Sequence, residues 1–128
     1  MARVLVVEDE PTMRELVSAR LKAAGHQIVA AENGAAAVEV VSRRGAPDVA
    51  VLDIGLPDTD GYTLLASLRD AAGAKQFGAV FLSGEIERAA IDRGHRMGAI
   101  YLTKPFIASA LLKAIEQATE PAQADDGW

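Results

Sequence analysis

Carboxylates, a hydroxyl and a lysine recur at one kind of position in this chain, directly after a short apolar run. Glu8-Asp9-Glu10 follows Val4-Leu5-Val6-Val7, and Asp53 follows Val49-Ala50-Val51-Leu52. Ser83-Gly84 follows Ala79-Val80-Phe81-Leu82, and Lys104-Pro105 comes just after Ile100-Tyr101-Leu102. Carboxylates gathered on one rim repel, so one pKa rises unless a cation intervenes. Magnesium answers that conflict, because it takes oxygen ligands, typically one or two carboxylates with waters and a phosphate oxygen. Such a cation also neutralises charge developing on a phosphoryl group in transfer. A carboxylate such as Asp53 is a competent nucleophile toward phosphorus and gives an acyl phosphate. Lys104 can pair with Asp53 or with its phosphoryl oxygens, and Ser83 can donate a hydrogen bond to the same group. Taken singly, each residue also has an ordinary structural use. Polar residues at strand ends form turns or caps, and Asp9 or Glu10 before Pro11 could simply start a helix. The combination on successive rim positions is what points to chemistry.

The elements that must position these residues follow from the apolar pattern. The runs named above, with Ile28-Val29-Ala30-Ala31, mostly lack polar alternation, which fits strands buried on both faces of a parallel sheet. Helical periodicity separates them. Met13, Leu16, Val17, Leu21 and Ala24 form one stripe closed by Gly25; Ala37, Val40 and Val41 form a second closed by Gly45. Leu64, Leu65, Leu68 and Ala72 precede Gly73, and Ala108, Leu111, Leu112, Ile115 and Ala118 make the last stripe. The fourth helix, around residues 88–97, is the weakest, with few large apolar residues and Gly94 at a cost of about 1 kcal/mol relative to Ala. Alternating strands and helices with right-handed crossovers predict an α/β doubly wound parallel sheet. Ligands then bind outside the carboxyl ends of the strands, where the acidic, hydroxyl and lysine residues fall. Glu32-Asn33-Gly34 after the second run reads as a turn.

Bulk properties narrow the function classes. The chain has 128 residues, half of them hydrophobic, which suits one domain with a sizeable core. With 13 basic and 18 acidic residues the formal charge is −5, which argues against a general phosphate-backbone binder. There is no cysteine, so no disulfide framework or thiolate metal site, and no apolar stretch of about 18 residues for a transmembrane helix. Residues 1–7 lack a signal-peptide pattern, so the cytoplasm is the expected location. The segment 120–128, with Pro121, Asp125, Asp126 and Gly127, reads as a short disordered end after a domain at 1–119. The Met1 start and short tail read as those of a complete chain.

These residues resemble the response-regulator receiver domains, including the chemotaxis type. The carrying stretches are Val4 through Pro11, Pro47-Asp48 with Val51-Leu52-Asp53, Leu56-Pro57, Asp60-Gly61, Phe81-Leu82-Ser83-Gly84 and Tyr101-Leu102-Thr103-Lys104-Pro105-Phe106. The resemblance implies a flavodoxin-like five-stranded sheet of order 2-1-3-4-5 with five helices. It implies that Asp53 takes phosphate from a phosphohistidine on a sensor histidine kinase or histidine phosphotransfer protein. Asp9 and Asp53 would bind Mg2+ directly, with Glu8 acting through water and the Gly55 carbonyl as a further ligand. Ser83 and Tyr101 would be the switch pair, Lys104 the contact to phosphoryl oxygens, and Lys104–Pro105 a cis bond. Signalling would pass to an unknown protein target through the face of the fourth helix, fifth strand and fifth helix. Neither nucleic acid nor membrane is expected as a direct partner, and the chain would be a monomer or a phosphorylation-linked dimer. It would be no enzyme beyond its own magnesium-dependent phosphorylation and dephosphorylation.

Departures from the family pattern carry their own expectations. Glu8 stands where aspartate is common, one methylene longer. Gly55 and Glu85 occupy the positions that tune acyl-phosphate lifetime, and Gly55 leaves attacking water less hindered. The spacing through Gly98-Ala99-Ile100-Tyr101 is one residue short, which with Gly94 predicts a mobile or partly non-helical fourth segment. Arg88, Arg93, His95 and Arg96 read as a solvated basic face before they read as a docking surface for an acidic partner. His26 reads as an exposed turn residue, and Trp128 as exposed and without a role. Three other functions fit the fold. An aspartyl-nucleophile phosphohydrolase wants a second carboxylate two residues after the nucleophile, where Gly55 stands. A phosphorylation-independent interaction module gains nothing from clustered charge. A flavin-binding domain lacks its phosphate loop after the first strand.

Overall fold

Every residue of β1 (Arg3–Val7) and β3 (Val49–Asp53) is buried, because both faces of the sheet are covered. A computed structural model of the chain describes residues 2–84 and 88–119; the expected tail, Trp128 and Glu85 lie outside the described residues. With β2 (Gln27–Ala31), β4 (Gly78–Ser83) and β5 (Ile100–Thr103), the strands form one parallel sheet in the order β2-β1-β3-β4-β5. This is the expected doubly wound α/β fold. In β1, β3 and β4, Leu5, Val7, Ala50, Leu52, Ala79 and Phe81 feed one core, and Val4, Val6, Val49, Val51, Val80 and Leu82 feed the other. Successive strand residues point to opposite faces, so two dry faces require runs that do not alternate. β2 lies at the edge and is only partly buried.

Five helices cover the two faces: α1 (Pro11–Ala23), α2 (Gly34–Arg44), α3 (Gly61–Ala72), α4 (Arg88–Arg96) and α5 (Ala108–Ala118). Glu10 caps α1 by accepting from the Thr12 and Met13 N–H groups, at 3.2 and 2.6 Å, with Pro11 at the first helical position. Asp60 caps α3 by accepting from the Thr63 N–H at 2.8 Å. The predicted stops Gly45 and Gly73 take φ of 85° and 70°, a region that favours glycine. Asn33 and Gly34, read as a turn, are instead the cap and first residue of α2. Leu16, expected on the core stripe, stays 45% exposed: α1 meets the sheet through Val17 and Leu21, and Leu16 lies on its flank near Phe106 and Ile107. His26 is half-buried rather than exposed, and its Nδ1 accepts the Ala2 N–H at 2.9 Å.

At the amino-terminal edge of the sheet, Arg3 and Asp48 form a buried pair. Arg3 Nη2 donates to Asp48 Oδ1 at 2.9 Å, and the Arg3 backbone N–H donates to Oδ2 at 2.8 Å. The Asp48 carbonyl accepts the Gly78 N–H at 3.0 Å, so this one residue ties the starts of β1, β3 and β4. Burial pushes the Asp48 carboxyl up, but the hydrogen bonds and charge of Arg3 overcome it and hold the group below the ordinary 3.8.

The fourth segment is helical over Arg88–Arg96, so the expectation of a partly non-helical stretch is not met. Gly94 is buried inside α4, where a Cβ would lie 3.2 Å from Phe81 Cδ2 and 3.3 Å from Tyr101 Cδ2. Its cost in helix propensity is offset by this close approach. Two side chains of α3, two turns apart, hold α4 by its backbone. The Tyr62 hydroxyl donates to the Ala90 carbonyl at 3.1 Å, and Arg69 Nη2 donates to the Met97 carbonyl at 2.6 Å. Arg93 lies over the Tyr62 ring, 4.2 Å from its centroid, while remaining exposed. Arg88, His95 and Arg96 are exposed too, so the cluster forms the solvated basic face expected from the sequence.

Helix propensity alone makes Gly94→Ala stabilising by about 1 kcal/mol. Crowding against Phe81 and Tyr101 makes it destabilising by about 1–3 kcal/mol, and we expect the loss in a urea unfolding midpoint. Asp48→Asn breaks a buried pair and should cost about 3 kcal/mol at neutral pH. A carboxyl depressed in the folded state stabilises above its unfolded pKa and loses that contribution as pH falls through the folded value. The variant should therefore show a flatter acid dependence than wild type below about pH 4, read from the same midpoints.

Candidate functional site

Glu8 continues β1 by one hydrogen bond, its N–H donating to the Ala31 carbonyl at 3.1 Å, and its side chain is almost fully buried. Asp53 ends the adjacent β3 and is also buried, while Asp9 is exposed at the rim. One carboxylate oxygen from each of Glu8, Asp9 and Asp53 lies within 4.8 Å of the others. Glu10, the third acid of the run, points into the α1 cap instead. The two uses that the run allows are thus divided between its members: Glu10 starts the helix and Asp9 joins the acidic group.

Lys104 follows β5 and reaches across the sheet edge. Its Nζ donates to Glu8 Oε1 at 2.9 Å and to Asp53 Oδ1 at 3.4 Å. Glu8 is the nearer partner, where the expected partner of Lys104 was Asp53 or its phosphoryl oxygens. The Lys104 backbone N–H donates to the Ser83 carbonyl at 2.7 Å, and the Lys104–Pro105 bond is cis as expected. Ser83 is buried at the end of β4, paired in register with Thr103. Tyr101 is half-buried on β5 against the Gly94 slot. Gly55 is exposed, and its N–H donates to Asp53 Oδ1 at 3.3 Å. Glu85 falls outside the described residues.

Burial pushes the Glu8 carboxyl from 4.5 up to about 6, with Lys104 opposing the shift and Asp53 adding to it. Burial works the other way on Lys104, but Glu8 and Asp53 outweigh it and hold the ammonium above its ordinary range. The result is a site of three acids and one firmly protonated lysine. Hard oxygen donors at this spacing suit a small divalent cation, and the adjacent ammonium suits an anionic oxygen.

Two residues carry no motif that marks them. Arg14 Nη1 donates to the Glu8 and Asp9 carbonyls at 2.9 and 3.3 Å, fixing the backbone of the acidic pair. A cation in the first turn of a helix opposes the helix dipole, and that misplacement is a signal that a local acceptor holds it. Asp58, in the loop after β3, binds the start of α2.

The chain matches the response regulator receiver domain family over residues 4–116. It is 35% identical over 116 residues to protein PilH of Pseudomonas aeruginosa, covering 90% of this chain and 95% of that one. It is 36% identical to the probable transcriptional regulatory protein TcrX of Mycobacterium tuberculosis, but spans 53% of that protein's length. The solved structure of chemotaxis response regulator CheY4 of Vibrio cholerae superposes with a TM-score of 0.82 at 28% identity, over 92% of this chain and 98% of that one. No helix among the described residues is long and apolar enough to cross a membrane.

An acid whose pKa is raised by folding binds its proton more tightly in the folded state, so stability falls as pH rises from 4.5 through about 6. In chelator-containing buffer, Glu8→Gln should remove that decline. The expected gain over wild type at neutral pH is on the order of 1–2 kcal/mol, read from denaturant midpoints across this window.

Proposed function

The chain belongs to the response regulator receiver domain family, and we propose that it receives a phosphoryl group on Asp53 from a phosphohistidine and signals through protein contact. The observation that carries this reading is the placement of Asp53 at the carboxyl end of the central strand. There its carboxylate lies 3.4 Å from the Lys104 ammonium and within 4.8 Å of the Glu8 and Asp9 carboxylates. The donor is a sensor histidine kinase or a histidine phosphotransfer protein, and the setting is the cytoplasm.

The donor set fits magnesium, which Asp9 and Asp53 would hold together with Glu8 and the Gly55 carbonyl. The bound ion supplies charge neutralisation for the phosphoryl oxygens. The chain's own residues do the rest. A carboxylate oxygen of Asp53 attacks phosphorus as the phosphorus–nitrogen bond of the phosphohistidine breaks, leaving an acyl phosphate and an imidazole. Lys104 transfers its contact from the carboxylates to the new phosphoryl oxygens. Ser83, on the same rim, donates to that group, and Tyr101 turns inward behind it, which alters the face of α4, β5 and α5. Water later attacks phosphorus and returns the free carboxylate. Gly55 places no side chain in the path of that water, and Glu85 is the companion position that sets the lifetime.

Gly55 also weighs against a phosphohydrolase, since no general acid stands two residues after Asp53. Intact mass after incubation with acetyl phosphate tests the reading directly. Wild type should gain one phosphoryl group only with magnesium, and Asp53→Ala should gain none. Wild type that gains nothing, and whose spectrum does not change with beryllofluoride and magnesium, would instead be a phosphorylation-independent interaction module.

A further inference from the structure

We propose that Asp58 is a positioning residue of the site, which holds the Asp53 carboxylate in place by fastening the β3–α3 loop to the start of α2. The loop covers residues 54–60. Its Gly55 N–H donates to Asp53 Oδ1 at 3.3 Å, so the loop's position sets where that oxygen is held. The loop closes on itself at its base. Gly55 bridges Asp60, and the Gly61 N–H donates to the Ile54 carbonyl at 2.9 Å. Ile54 and Leu56 pack on the core, and the Ile54 N–H donates to the Leu82 carbonyl at 3.0 Å, so the first half of the loop is anchored to the sheet.

Asp58 fastens the more exposed second half. Its Oδ1 accepts the Gly34 N–H at 2.9 Å and its Oδ2 accepts the Ala35 N–H at 3.0 Å. Asn33 Oδ1 accepts the next N–H of the helix, from Ala36, at 2.8 Å. The first donors of α2, which no helix can satisfy internally, are thus divided between its own cap and the site loop. A two-pronged carboxylate at a helix start is favoured by charge and by geometry. Gly34 shows that the approach is built in, since a Cβ there would lie 2.6 Å from Thr59 Cγ2 and 3.3 Å from Asp58 Oδ1. The clamp bears on Gly55, the loop residue with most backbone freedom and a direct contact to Asp53.

This inference rests on the reading of Glu8, Asp9 and Asp53 as a magnesium site, so magnesium affinity of the full chain, by titration calorimetry, is its readout. Asp58→Ala should weaken binding about ten-fold, the low end of losses for groups that orient metal ligands. Asp58→Asn should fall between it and wild type, because the carboxamide oxygen still accepts one N–H. Gly34→Ala, which keeps the charge and disturbs the clamp from the helix side, should weaken binding as well. The double variant should be no weaker than the worse single. Asp48→Asn, destabilising from the opposite edge of the sheet, should keep wild-type affinity. Wild-type affinity in both Asp58→Ala and Gly34→Ala overturns the proposal and leaves the magnesium site standing. A wild type that does not bind magnesium, or an Asp9→Ala variant that binds as wild type does, overturns both.

Discussion

Glu8, Asp9 and Asp53 bring carboxylate oxygens within 4.8 Å of one another, and such a group persists only if positive charge and donors surround it. Much of the architecture at the carboxyl edge supplies them. Lys104 comes from β5, two strands away from β3 in the sheet, and reaches both buried acids. The Glu10 and Gly55 N–H groups donate to Glu8 Oε2 and Asp53 Oδ1, at 3.2 and 3.3 Å. Arg14 holds the carbonyls of the acidic pair. These groups come from separate loops and helices, so the site forms only when β1, β3 and β5 are in register. Of the two buried acids, Glu8 takes the nearer share of Lys104.

At the opposite edge, opposite charges meet instead. Arg3 and Asp48 pair and tie the starts of three strands, so charges are matched at one end of the sheet and in competition at the other. Frustration of this kind is what a switch uses, since a new charge at the rim redistributes contacts already in competition.

The strands and most helices were legible in the sequence because a doubly covered parallel sheet demands unbroken apolar runs, and because Gly45 and Gly73 stand where the chain must turn out of a helix. The rim residues were legible for a related reason: a polar residue ending such a run has only the sheet edge to occupy. What escaped depends on contacts between distant segments. Gly94 read as a helix flaw because Phe81 and Tyr101, the side chains that require its missing Cβ, stand on other elements. His26 read as exposed because its partner is the Ala2 N–H, 24 positions away. Leu16 fitted the stripe by spacing, and only the limited contact of α1 with the sheet leaves it outside. That Lys104 lies nearer to Glu8 than to Asp53 is a matter of half an ångström, which no pattern of residue types can rank.

The attachment of α4 has a consequence for how such proteins diversify. Tyr62 and Arg69 grip it by the carbonyls of Ala90 and Met97, and every residue type carries a carbonyl. The outward positions Arg88, Ala89, His95 and Arg96 make no part of that grip. The vocabulary displayed to a partner can therefore be rewritten, letter by letter, while the binding of the page stays intact. Paralogues in one cell could then acquire separate audiences without first inventing a new way to fold.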